Sequence, residues 1–276
     1  MNADISGLCD LCELCVKYSY LSPERKTMRK KLLLMSRFIF VLALVVYLIP
    51  SSQAADLKGR IVCIDPGHQL HSDNSPDPIG PGSSETKPCV SSGTGGSVSG
   101  PEHAVVLDVG LRLRDILTSQ GITVVMTRTT ADVHVCNSER ATIANKAKAD
   151  LCIRLHCDAG SAHTCFTLYP GLITGWTDDI YAESLKAAGI IQKAYSDTTG
   201  IPDGGLTPRT DLTGFNWSDV PVVLPEMLKM QNAQDDILAS TPEFRQKMAE
   251  GCAKGIIEYL NTLPPRAATP SGLTLK

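Results

Sequence analysis

The sequence has no excess of positive charge. Against 26 Lys+Arg stand 29 Asp+Glu, for a net charge of −3 over 276 residues. That balance excludes a nucleic-acid binder working by bulk charge. There is also no apolar run of the roughly 20 residues needed to span a bilayer. The longest, Phe38 to Ile49, is twelve residues, and extending it upstream meets Ser36 and Arg37. No His-Glu-x-x-His helix and no Gly-x-Ser-x-Gly elbow occur. The glycine-rich stretch Gly93 to Gly100 lacks both a preceding strand and a terminal Gly-Lys-Ser/Thr, which excludes a phosphate loop. Internal repeats are absent, and nothing in the pattern marks a second domain. With 43% hydrophobic and 20% charged residues, the composition is that of a globular chain rather than a disordered one.

The first 54 residues read as an address rather than as fold. Basic residues Arg25, Lys26, Arg29, Lys30 and Lys31 precede the apolar run, Pro50 breaks it, and Ser52-Gln53-Ala54 supplies a small-residue cleavage site. Charge, apolar core and small residues in that order describe a secretory signal peptide cut after Ala54. Met28 sits directly before the basic cluster and is the expected start, with residues 1–27 an over-extended leader. The leader holds Cys9-x2-Cys12-x2-Cys15, a spacing that without a fourth ligand is weak support for a metal. Cleavage leaves 222 residues, a net charge of −6 and seven of the ten cysteines. Cys63 and Cys152 sit in apolar strand-like runs and are expected to be small buried hydrophobes. Cys89, Cys136, Cys157 and Cys165 can form disulfides outside the cell, but spacing alone does not pair them.

From residue 55 to 263, strand-like and helix-like segments alternate. Strands are expected at Arg60–Ile64, Ile122–Thr127, Leu151–His156, Cys165–Tyr169 and Val220–Leu224. Helices are expected from Pro101 to about Gly121, Ser138–Ala149, Asp178–Thr198, and from Thr241-Pro242 to about Leu260. Residues 69–100, rich in Gly, Pro and Ser, are expected to form a long functional loop. Residues 264–276 are expected to be a flexible tail. The pattern is that of a single α/β domain with a twisted, mainly parallel sheet flanked by helices.

Open parallel sheets bind ligands beyond the carboxyl ends of their strands. His68 follows the first strand through Asp65-Pro66-Gly67, His156 closes the third, and Glu226 lies just past the fifth. Glu102 opens the first long helix. Two imidazoles and one carboxylate can hold zinc with a position left open for water, and a second carboxylate can act as general base. Taken singly, each has an ordinary structural explanation, such as a helix-dipole contact for Glu102. Cys157, next to His156, points to the opposite strand face and is no nucleophile. His71, His103, His134 and His163 are expected in solvent. Arg140 and Asn145 are expected to brace the site, and Trp217 either to line a groove or to plug the core.

The order of motifs is more specific than any one of them. Asp65-Pro66-Gly67-His68, then Glu102 with Leu107, Thr127-Arg128, Arg140 with Ala144-Asn145, Asp150-Leu151 leading to His156, and Pro221 to Glu226 with Asn232 succeed one another along residues 58–260. This series resembles the zinc-dependent N-acetylmuramoyl-L-alanine amidases of the amidase-3 family. Asp211-Leu212-Thr213-Gly214 with Asn216-Trp217-Ser218, and the long loop before Glu102, resemble a secreted branch of it. The resemblance implies Zn2+ held by His68, Glu102 and His156, with Glu226 as the catalytic residue. It implies peptidoglycan as the partner, cleavage between the muramoyl lactyl group and L-alanine, and a monomer acting outside the cell or in its wall. Membrane contact is then confined to the signal peptide. Leu228-Lys229 and Gln231 depart from the usual family residues, as do Arg154 and Asp158, and Lys229 stands near the expected base. A zinc peptidase of stem peptides and an inactive wall-binding relative are the competing readings.

Overall fold

The computed structural model describes residues 57–266; the leader, the signal peptide and the last ten residues of the tail fall outside them. Six strands form the central sheet: β1 (Ile61–Pro66), β6 (Thr123–Met126), β7 (Leu151–Asp158), β8 (Cys165–Pro170), β9 (Asp203–Arg209) and β10 (Val222–Lys229). Two small antiparallel pairs lie between β1 and the first helix: β2 (Asp73–Pro78) with β3 (Thr86–Val90), and β4 (Gly95–Gly96) with β5 (Gly100–Pro101). Six helices complete the described residues: α1 (Glu102–Ser119), α2 (Asn137–Ala147), α3 (Tyr181–Thr199), α4 (Thr213–Asn216), α5 (Ala233–Ser240) and α6 (Pro242–Leu260). The sheet order is β6-β1-β7-β10-β8-β9. Every neighbouring pair is parallel except β10 with β8.

Strand parity sorts the core into two layers, because successive side chains face opposite ways. Val62 and Ile64 of β1, Leu151, Ile153, Leu155 and Cys157 of β7, and Val223 and Met227 of β10 pack on one side with α1, α3 and α6. Cys63, Cys152, Val222 and Leu224 face the other side, where Ala144 of α2 and Phe215 of α4 cover them. Continuing the second parity toward the carboxyl ends brings Arg154, His156 and Glu226 onto one face. His156 and Glu226 are direct neighbours across β7 and β10. Cys63 and Cys152 are buried as expected, and are likewise paired across β1 and β7.

Several expectations need correction. Residues 69–100 are not a featureless loop but carry the two small pairs. Neither face of these hairpins is fully covered, so no hydrophobic alternation announced them, and Pro76, Pro78 and Pro88 argued against strands. Glu226 lies inside β10, not past its end, because the strand runs through Pro225 to Lys229. Likewise β7 continues past His156 to Asp158. β9 went unforeseen because Gly204, Gly205 and Pro208 read as loop; it is an edge strand, where proline costs least. The short helices α4 and α5 were also missed, although Asn232 caps α5 by accepting from the backbone N–H groups of Gln234 and Asp235. Thr241 and Pro242 start α6 as read from the sequence.

The β2–β3 hairpin is fastened to the body at many points. Cys89 of β3 is disulfide-bonded to Cys136, which precedes α2. Ser138 donates to Asp77 from both its backbone and its hydroxyl, and Trp217 Nε1 donates to Pro78 O at 2.7 Å. Trp217 therefore neither lines the cleft nor plugs the core; it clamps the hairpin. No helix among the described residues is long and apolar enough to cross a membrane. Closing a loop across 47 residues, the disulfide should contribute about 2–4 kcal/mol. The Cys89→Ser, Cys136→Ser double variant is expected to lose that much unfolding free energy in urea titrations.

Candidate metal centre

The turn that presents His68 is built around one buried carboxylate. Asp65 is fully buried and accepts from Arg140 Nη1 at 2.8 Å, Arg154 Nε at 2.8 Å and Thr127 Oγ1 at 2.5 Å. Burial alone would raise its pKa, but the two guanidinium charges prevail and hold the carboxyl well below the usual range. The arginines in turn satisfy the turn's carbonyls. Arg140 donates to Pro66 O and His68 O, while Arg128 donates to Pro66 O, Gly67 O and His103 O. His68 itself adopts a left-handed backbone (φ 57°), a conformation that costs a non-glycine residue about 1–3 kcal/mol and persists only when its surroundings impose it.

Three segments then converge. His68 Nε2 lies 3.1 Å from Glu102 Oε2, and His156 Nδ1 lies 3.1 Å from Glu102 Oε1. One ligand atom from each of the three residues falls within 4.8 Å of the others. His68 Nδ1 donates to Ser91 O at 2.9 Å, which leaves its Nε2 lone pair for the centre of the cluster. Glu102, 2% exposed, accepts from the backbone N–H of Thr94 at 2.9 Å and of Cys157 at 3.0 Å. Burial acts to raise its pKa, yet the hydrogen bond from His156 and the closeness of the His68 ring overrule that and keep it ionised. Burial depresses the pKa of His156, so its imidazole is neutral at neutral pH. Neutral imidazoles and an ionised carboxylate are the forms that bind metal.

The donor set fits a divalent ion. His156 Nε2 is buried without any hydrogen-bond partner, an uncommon state for a ring nitrogen. Two nitrogens and one oxygen suit zinc in a three-ligand site. Backbone clearance is equally specific. A Cβ on Gly67 would meet the His156 ring, and one on Gly93 would lie 2.7 Å from Glu102 Oε2 and 2.8 Å from His68 Cδ2. A second grouping of Asp73, Cys89 and His134 offers no thiolate, because Cys89 is in the disulfide.

Glu226 lines the same cleft, a volume of roughly 630 Å³ that also holds all three ligand candidates. Its Oε2 is buried and unpartnered. Burial, then the charges of Glu102 and Asp158, push its pKa well above the ordinary value, while Lys229 and Arg209 pull against them. Lys229 thus acts on the carboxyl by charge; its Nζ pairs with Asp158 at 2.6 Å and lies 4.7 Å from the Phe166 ring centroid. Cys157 belongs to the opposite core layer, as strand parity required. Asn145 braces α2 against the segment after α4, donating to Trp217 O and accepting from Asp219 N–H.

The structure draws together all four residues singled out from the sequence. It also adds partners that were not foreseen: Ser91, Thr94, the Cys157 N–H, and the Asp65 cluster. Arg154, noted only as a departure, is one of the two guanidiniums on Asp65. His103 is not in solvent but 9% exposed under Arg128, and its pKa is depressed by burial. His163 is half-buried and paired with Asp235; His134 is exposed and paired with Asp73; His71 is exposed.

The sequence model of the family described as N-acetylmuramoyl-L-alanine amidase, Amidase_3, matches residues 62–258. The chain belongs to that family. A curated N-acetylmuramoyl-L-alanine amidase of Mycobacterium tuberculosis is 33% identical over 226 residues, covering 77% of this chain and 91% of the relative. The endolysin of Bacillus phage SPP1 is 30% identical over 178 residues, covering 62% of this chain and 65% of its own. The crystal structure of the N-acetylmuramyl-L-alanine amidase from Mycobacterium smegmatis superposes with a TM-score of 0.69 at 32% identity, covering 76% of this chain and all of that one. The α/β fold with a mainly parallel sheet is the fold of that amidase.

Two substitutions test this geometry. Asp65→Asn leaves two buried guanidiniums without their carboxylate and is expected to destabilise the fold by about 3–5 kcal/mol. Asp65's folded pKa is depressed, so its contribution is complete above the unfolded value of about 3.9 and is lost as pH falls through the folded one. Acid titration of stability should therefore show a limb in the wild type that the Asn variant lacks. Gly67→Ala, which drives a methyl into the His156 ring, is expected to weaken any divalent-metal binding at this site at least about tenfold in chelator competition while the fold remains.

Proposed function

We propose that the chain is a zinc-dependent N-acetylmuramoyl-L-alanine amidase that releases the stem peptide of peptidoglycan from its glycan. The observation that carries this reading is the meeting of His68, Glu102 and His156 at one point, with the unpartnered Glu226 carboxyl in the same cleft. The family membership supplies the scissile bond, the amide between the lactyl group of N-acetylmuramic acid and L-alanine. His68, Glu102 and His156 would hold the metal. Bound there, zinc would supply Lewis acidity that activates water and polarises the lactyl carbonyl.

The remaining work falls to this chain's own side chains. Ser91 and the backbone N–H groups of Thr94 and Cys157 orient the ligands, so that the site is assembled before substrate arrives. Glu226 accepts the proton of the attacking water and returns it to the L-alanine nitrogen as the C–N bond breaks. An amide nitrogen leaves poorly without that proton, and a carboxylate whose pKa is raised by burial is a stronger base toward the attacking water than an exposed one. An extracellular setting is part of the proposal. The order of basic, apolar and small residues before Ala54 supports it, and the Cys89–Cys136 bond is of the kind that persists in oxidising surroundings.

Purified cell wall should yield new L-alanine amino termini and no new reducing sugar ends, and stripping the metal with a chelator should stop the release. Cleavage within the stem peptide, or full activity after chelation, would overturn the reading. Glu226→Gln is expected to lower kcat about 10²–10⁴-fold while zinc affinity stays within a factor of a few, checked by turnover assays beside metal titration.

A further inference from the structure

One end of the cleft carries charge that hydrolysis itself does not require. Beside Glu226 the cleft floor is apolar, formed by Leu224 of β10 and its partner Leu168 on β8. Past the leucines stand two cations, Arg209 at the end of β9 and Lys87 on β3. Both are splinted by one carboxylate. Asp211 Oδ1 accepts from Arg209 Nε at 2.7 Å, and its Oδ2 accepts from Arg209 Nη2 at 2.8 Å and Lys87 Nζ at 2.8 Å. Two cations on one carboxylate leave a net charge of +1, with Arg209 Nη1 and further N–H groups of Lys87 Nζ still free to donate.

Stability does not account for this arrangement. The three side chains are 36–44% exposed, and ion pairs in such settings contribute about 0–1 kcal/mol. The neighbouring cations are committed elsewhere: Arg154 to Asp65 and Asn137, Lys229 to Asp158. Arg209 and Lys87 nonetheless line the same cleft as Glu226. The cation pair therefore shares the cleft with the candidate general base yet stays outside the metal site.

The charge of the substrate is unevenly placed. Around the scissile amide the muramoyl side is neutral, because its lactyl carboxyl is consumed in the bond. On the other side, the D-glutamyl residue after L-alanine carries a free α-carboxylate unless it is amidated. We propose that Lys87 and Arg209, preorganised by Asp211, form a carboxylate subsite for the stem peptide and select the free acid over the amide. The assignment rests on the amidase reading. It orients the substrate, with peptide over the Leu168–Leu224 floor toward β9 and glycan toward the opposite end. Charge-assisted hydrogen bonds to a fixed fork give such discrimination, because the neutral amide leaves the cations unanswered.

Two muramoyl tripeptides that differ only at the D-glutamyl α-carboxyl, free or amidated, provide the test. The wild-type enzyme loaded with zinc is expected to show kcat/KM about tenfold higher for the acid, arising from KM. The Lys87→Ala, Arg209→Ala double variant should lose that preference, its acid-to-amide ratio of kcat/KM falling to about one, and Lys87→Arg with Arg209→Lys should retain part of it. Equal wild-type efficiency on both peptides overturns the subsite and leaves the amidase reading standing. An equal loss on both peptides in the double variant also overturns it. Cleavage of neither peptide by the wild type overturns both.

Discussion

The geometry of the site depends on a carboxylate that never touches a ligand. Asp65 gathers Arg140 and Arg154 at the carboxyl end of the first strand, and Arg140, with Arg128, pins the backbone that follows. Without those charges, the left-handed turn at His68 would relax toward an ordinary extended path. His68 would then swing away from Glu102. A buried carboxylate between guanidiniums is an expensive way to gain stability, since desolvating each ion costs several kcal/mol. Its return here is directional: one cluster fixes a turn, a helix and the middle of a strand relative to one another.

The same logic of fixation recurs at the other ligands. Glu102 is the first residue of α1, and its carboxylate is held by the backbone of the glycine-rich segment before it and by the β7 backbone after His156. Asp236 ties that glycine-rich segment to α5, accepting from the N–H groups of Val98 and Ser99. The stretch expected to be part of a long functional loop is thus a braced support. Its glycines are there for clearance: Gly93 leaves room for Glu102 and His68, as Gly67 leaves room for His156.

Much of this was legible in the order of residues. The β-branched and apolar runs at 61–64 and 151–155 alternate with helical periodicities, and that alternation alone leads to a parallel α/β sheet. His68, Glu102, His156 and Glu226 were legible because the motifs that carry them succeed one another in a family's order, although His156 and Glu226 lie inside their strands rather than past the ends. What stayed hidden was long-range. Asp65 meets Arg154 across 89 residues, and no local pattern announces a pairing at that distance. β9 and the β2–β3 hairpin stayed hidden for a different reason: strands with little buried face and several prolines carry no periodic signal. Pro225 misled in the same way, since a proline inside a strand bordered on both sides forfeits one donor without ending it.

The register between β7 and β10 has a further consequence. His156 and Glu226 are ladder partners on one face of the sheet, and Cys157 belongs to the layer behind. Side chains alternate with a period of two, so inserting or deleting one residue upstream in either strand would turn the functional group into the apolar layer. Nothing intermediate is available between facing the cleft and facing the core. Length changes in such a protein are therefore tolerable in its turns and surface hairpins, while its two central strands are held to a fixed count of residues by the chemistry they carry.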